Sequence, residues 1–109
     1  MKILAVKMLN RVGDNSDFVE IRLSDINYIE LWSPTENSAK VPSYHTSNGS
    51  FLALHTIKDI SQAYSKYGFE SFDRSNVINT EKIKEMVPLP KGTLIIFKDG
   101  SYVKVRKKF

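Results

Sequence analysis

Cysteine is absent from the 109-residue sequence. That excludes a disulfide framework and any thiolate metal site. Only two histidines occur, His45 and His55, with no paired nucleophile or third ligand beside them, and there is no glycine-rich phosphate loop. The carboxylates alternate with lysines as they do on a solvated surface. Catalysis therefore has little to rest on: the chain is expected not to be an enzyme, and no cofactor is implied. No apolar run approaches the roughly 20 residues that cross a bilayer. The short apolar run of residues 1–9 is interrupted by Lys2 and Lys7, unlike a signal peptide. These absences point to a cytoplasmic protein without a membrane partner.

The apolar content is enough for one modest core. Hydrophobic residues make up 41% and aromatics 11%, which excludes a disordered polar tract, and the length suits a single domain over residues 1–109. There is no internal repeat or low-complexity segment. Net charge is +4, and its location says more than its size. Lys104, Arg106, Lys107 and Lys108 supply four positive charges in the last six residues, leaving residues 1–103 neutral. A concentrated patch raises the local potential and speeds encounter with a polyanion. Taken alone, it is better read as a solvated basic tail.

Periodicity predicts a mainly β fold. Val19-Glu20-Ile21-Arg22-Leu23 alternates apolar with charged, as a strand with one wet face does, and Tyr28 to Trp32 resumes as a strand after the Ser24-Asp25 turn signal. A first strand is plausible from Lys2 to Met8. Asn48-Gly49 and Asp99-Gly100 each suit a tight hairpin turn. As two-residue loops they would set Thr46 opposite Phe51 and Phe97 opposite Tyr102. One segment breaks the pattern. Ile57, Ile60, Ala63, Tyr64 and Tyr67 have the three-and-four spacing of a helical face, with Thr56 as cap and Gly68 as left-handed stop, so a helix of about three turns is expected over residues 56–68. Thr80 to Glu85 can add one more turn, and Pro88 and Pro90 then enforce an extended linker into the last hairpin.

No helix pair has helix-turn-helix spacing, no zinc-finger pattern occurs, and the predicted helix carries only Lys58 and Lys66 as bases. Any nucleic acid would have to be read by loops and strand ends. Arg74 stands in a short polar turn between two apolar stretches, where its guanidinium suits either guanine O6 and N7 or a phosphate. The competing reading is an ion pair with Asp73 or Glu70.

The stretch Phe72, Arg74-Ser75, Val77-Ile78, Asn79 resembles the signature of the LytTR DNA-binding domains of bacterial transcription regulators. Ile21 to Glu30, Thr56 to Ile60 and Tyr102 to Arg106 agree with it in order, so the resemblance runs from about Phe18 onward. It implies an elongated arrangement of antiparallel β-sheets whose loops enter successive major grooves of double-stranded DNA. By resemblance, Arg74 with Ser75, and the terminal-strand Arg106, are DNA contacts, with Lys104, Lys107 and Lys108 as phosphate partners. A third contact would come from the loop Ser33 to Lys40, where Asn37, Ser38 and Lys40 are the suitable candidates. That loop is about three residues longer than the pattern. Two further departures are Asp73, where histidine is usual, and Asn76, where an aromatic is usual. Asn79 is better placed to bond local backbone at the turn into Thr80. The resulting expectation is a transcription regulator bound to tandem direct repeats, as a possible homodimer on DNA. The alternative is a protein-interaction module that modulates or sequesters another regulator of the same family.

Overall fold

The computed structural model describes residues 2–33, 35–37, 39–52 and 64–109. Among these residues ten strands run in chain order: β1 (Lys2–Lys7), β2 (Phe18–Arg22), β3 (Ile26–Trp32), β4 (Val41–Thr46), β5 (Gly49–Leu52), β6 (Phe69–Asp73), β7 (Asn76–Asn79), β8 (Ile83–Leu89), β9 (Gly92–Phe97) and β10 (Tyr102–Val105). Every pairing is antiparallel. Seven strands form one sheet in the order β2-β1-β5-β4-β3-β7-β6, and three form a second in the order β10-β9-β8. The molecule is elongated, 43 × 33 × 26 Å.

Two cores follow from the period-two alternation of strands that lie between layers. In β7 all four residues are buried: Val77 joins Ile3, Ala5, Ile26, Ile29, Tyr44 and Phe69 on one face of the large sheet, while Ile78 joins Phe72, Ile95, Phe97, Val103 and Val105 against the small sheet. A strand covered on both sides has no wet face, and so it reads as a continuous run rather than an alternation. Phe97, Tyr28 and His45 stack in sequence across the joint, with ring centroids 5.3 and 4.5 Å apart.

The body of the predicted helix, residues 56–63, lies outside the described residues. Its end is a 3-10 turn at Ser65–Tyr67, closed by Gly68 at φ +92°, as the stop signal predicts. Of the proposed apolar face, Tyr64 is buried but Tyr67 is exposed. The further turn is a 3-10 turn at Thr80–Lys82. Residues 83–89 are strand β8, paired with β9 on one side only. Proline fits such an edge position because its missing N–H faces no partner, so Pro88 edges a sheet instead of making a linker.

Both hairpin registers differ from expectation, the first by two residues and the second by one. The first turn is Ser47-Asn48, with Thr46 opposite Gly49 at φ +127° and Phe51 opposite Tyr44. The second loop is Lys98-Asp99-Gly100, with Gly100 at φ +90° and Ile96, not Phe97, opposite Tyr102. A three-residue loop ending in a left-handed glycine lets Phe97 N–H bond Ser101 O at 2.8 Å, and it leaves Phe97 fully buried while Tyr102 is 66% exposed.

Asp99 latches the small sheet to the large one at this end. Its carboxylate accepts from Ser101 N (2.9 Å), Ser101 Oγ (2.6 Å), Ser47 Oγ (2.6 Å) and Asn27 Nδ2 (2.7 Å). Desolvation works to raise its pKa, but these donors together hold the carboxyl well below the usual carboxylate range. A folded-state pKa below the unfolded one gives stability that is present above about pH 4 and is lost as the pH falls through the folded value. Asp99→Asn is therefore expected to lower the melting temperature at pH 7 and to flatten its fall between pH 4 and 2, both read from thermal melts. An unchanged pH profile in Asp99→Asn would refute the latch.

Candidate nucleic-acid interface

The turn bearing Arg74 is built without glycine. β6 and β7 are joined by Arg74-Ser75 alone, with Asp73 opposite Asn76 and a register shift just before it. Neither turn residue has positive φ, so this is not a mirror-image hairpin turn, and the bulge absorbs the mismatch in twist. Asp73 fixes the turn as an Asx bend, its Oδ1 accepting from Ser75 N at 2.8 Å. The large sheet adds a bond from Leu31 N to Ser75 O at 2.9 Å.

Strand alternation then sets the second edge. In β10, Val103 and Val105 point into the core, so Tyr102, Lys104 and the following Arg106 face outward together. Arg106 N donates to Asp73 Oδ2 at 3.0 Å, which brings the end of the small sheet against the Arg74 turn. Phe72, Asp73, Arg74, Ser75, Asn76, Lys104, Arg106 and Lys107 line one open groove of about 530 Å³. Arg74, Lys104 and Arg106 are exposed there. Among the described residues no carboxylate lies within ion-pair distance of either arginine. The pairing of Arg74 with Asp73 or Glu70 is thus not observed, and Glu70 Oε1 lies instead 3.9 Å from Lys107 Nζ.

The basic terminus is docked rather than a free tail. Thr93 Oγ1 donates to Lys107 O at 2.7 Å, and Lys107 Nζ sits 5.5 Å from the Phe72 ring centroid and 5.0 Å from that of Phe109. Lys108 lies apart from the arginine groove, beside Met86, Pro88, Leu89 and Phe109. The loop between β3 and β4 leaves the large sheet at the same end as the Arg74 turn, since Glu30 pairs with Asn76 and Trp32 with Val41. Its Asn37 and Lys40 are exposed, whereas Ser38 lies outside the described residues. Trp32 is half-buried beside Met8, Leu9 and Ser50.

Asn79 is structural, as expected, though its reach is longer than local. Oδ1 accepts from Glu81 N at 3.2 Å, and Nδ2 donates to Ile26 O at 2.9 Å across the sheet. What the sequence reading missed is the part played by Asp73. A signal was present. Asp-x-Ser occurs at Asp14, Asp59, Asp73 and Asp99; Asp59 lies outside the described residues, and in each of the other three the carboxylate accepts from the serine N–H two residues on.

The LytTr DNA-binding domain model matches residues 16–109. Among solved structures, the LytTr DNA-binding domain of a Bacillus cereus protein described as a methyl-accepting/DNA response regulator superposes with a TM-score of 0.73 at 16% identity, covering 97% of this chain and 87% of that one. No curated protein matches. Likeness at that identity speaks for the fold. The family match spans most of the chain, includes both the Arg74 turn and the Arg106 strand end, and stands on the same antiparallel sheets, so the chain belongs to the LytTR family of DNA-binding domains.

Proposed function

We propose that this protein is a transcription regulator that reads duplex DNA from one end of its large sheet, with the Arg74 turn, the Arg106 strand end and the loop before Lys40 entering the major groove. The observation that carries this reading is the shared groove. Two exposed arginines from different sheets line one concavity, free of carboxylate partners among the described residues. A guanidinium without an ion pair keeps its forked donors for guanine or phosphate. Arg74 and Arg106 are assigned to base edges. Ser75, Asn37 and Ser38 are assigned polar contacts, and Lys40, Lys104, Lys107 and Lys108 are assigned phosphates. The function is binding, with no catalytic step. One copy offers few base contacts for a genome-scale search, which favours two copies on tandem direct repeats.

The test uses a duplex selected by the protein from a randomised library, compared with random-sequence duplex. Arg74→Ala and Arg106→Ala are each expected to cost roughly 1–3 kcal/mol on the selected duplex and to relax specificity. Lys104→Ala and Lys107→Ala should weaken both duplexes alike, and each should reduce the salt slope by about 1. Parent-like binding by all four variants overturns the assignment. A flat salt dependence in the parent points instead to a protein-interaction module.

A further inference from the structure

Asp73 sits where the two cationic edges meet, and its carboxylate is a hub of hydrogen bonds. Four hydrogen bonds converge on its carboxylate: Ser75 N to Oδ1 at 2.8 Å, Asn76 Nδ2 to Oδ1 and Oδ2 at 3.1 and 3.2 Å, and Arg106 N to Oδ2 at 3.0 Å. Three N–H groups thus engage both carboxylate oxygens, the Asn76 amide bridging the pair. Asn76 shows which group dictates the arrangement. It is 7% exposed, and its Oδ1 is buried without a partner among the described residues while its Nδ2 faces Asp73. Buried amide oxygens are nearly always paired, so this orientation is held by the carboxylate at the expense of the amide oxygen. The two residues that depart from the family pattern are thus bonded to each other.

Both arginines are tied to this one carboxylate through main chain, not through their guanidinium groups. Arg74 is the next residue in the chain, inside the bend that Asp73 closes, and Arg106 donates its backbone N–H from 33 residues away. The side chains stay available while the spacing of their Cα atoms is fixed. We infer that Asp73 is a positioning residue that sets the distance between Arg74 and Arg106, and thereby the discrimination between duplex sequences. This rests on the DNA-binding reading above. Its electrostatic effect runs the other way, because an anion in the groove that Arg74 and Arg106 line opposes phosphate binding at any sequence. Positioning and charge therefore have opposite signatures, which makes them separable.

The test is Asp73→Asn, measured with the selected duplex, with random-sequence duplex of equal length, and by amide hydrogen exchange without DNA. Affinity for the selected duplex should fall about tenfold or more, the scale of one misplaced bidentate base contact. Affinity for random duplex should hold or rise, and Arg106 and Ser75 amides should exchange faster than in the parent. The inference is overturned if both duplexes change by the same factor in either direction, or if the Arg106 amide stays as protected as before. Should Asp73→Asn fail to fold by circular dichroism, Asp73→Glu answers the same question at constant charge, because its carboxylate is one methylene further out. Loss of discrimination supports positioning, and parent-like discrimination overturns it. A parent protein that fails to distinguish the duplexes and shows no salt dependence overturns the DNA reading and this inference together, an outcome recognisable because it appears before any substitution is made.

Discussion

Replacing Phe97 by alanine is expected to lower the unfolding free energy by about 3–5 kcal/mol. Phe97 is fully buried in the core between the sheets with Phe72, Ile78, Ile95, Val103 and Val105, and its ring stacks on Tyr28 at 5.3 Å with an interplanar angle of 4°. Truncation removes the apolar contact and leaves a void that strands fixed by two ladders cannot close. Single domains typically have only about 5–15 kcal/mol in total, so this one side chain is a large share of it. Chemical denaturation measures the loss. A denaturation midpoint within error of the parent would show that the small sheet is not held by this core.

Gly92→Ala is expected to cost about 3 kcal/mol of stability, the upper part of the usual overpacking range, because the obstruction is backbone. A Cβ built at Gly92 runs into the carbonyl oxygen of Val105 and lies 3.2 Å from its carbonyl carbon and 3.3 Å from Arg106 Cα. No rotamer change relieves that contact. β10 must move away from β9 at its last residue, and Arg106 must move with it. The substitution should therefore act twice: on the melting temperature, and on selected-duplex affinity by about as much as Arg106→Ala, although Gly92 carries no charge and touches no ligand. If Gly92→Ala melts like the parent, β9 and β10 are not in the close register described. If it is destabilised but binds normally, Arg106 is not positioned through β10.

Several features were legible without coordinates, for local reasons. Alternation at Val19 to Leu23 and at Tyr102 to Arg106 identifies strands because side chains two apart share a face, and the same rule sets Lys104 and Arg106 outward together. Gly68 was readable as a stop because only a residue without Cβ adopts its left-handed conformation cheaply. Other features were not. Hairpin register differs from expectation by two residues at Ser47-Asn48 and by one at Lys98-Asp99-Gly100, since a turn dipeptide does not say which of its residues belongs to the strand. Pro88 and Pro90 suggest a linker because prolines mark breaks in sequence, and an edge strand tolerates Pro88 only by virtue of its place in a sheet.

The amino-acid order by itself determined the β class, the family, and the presence of arginines at a turn and at a strand end, all consequences of spacing within a few residues. Only the tertiary structure decided that these two arginines share a groove. Their meeting depends on Asp73 bonding the Arg106 backbone across 33 residues, and on Ile78 and Phe97 stacking one sheet upon the other. Contacts of that separation are set by which faces are buried against which, and chain order alone does not encode it.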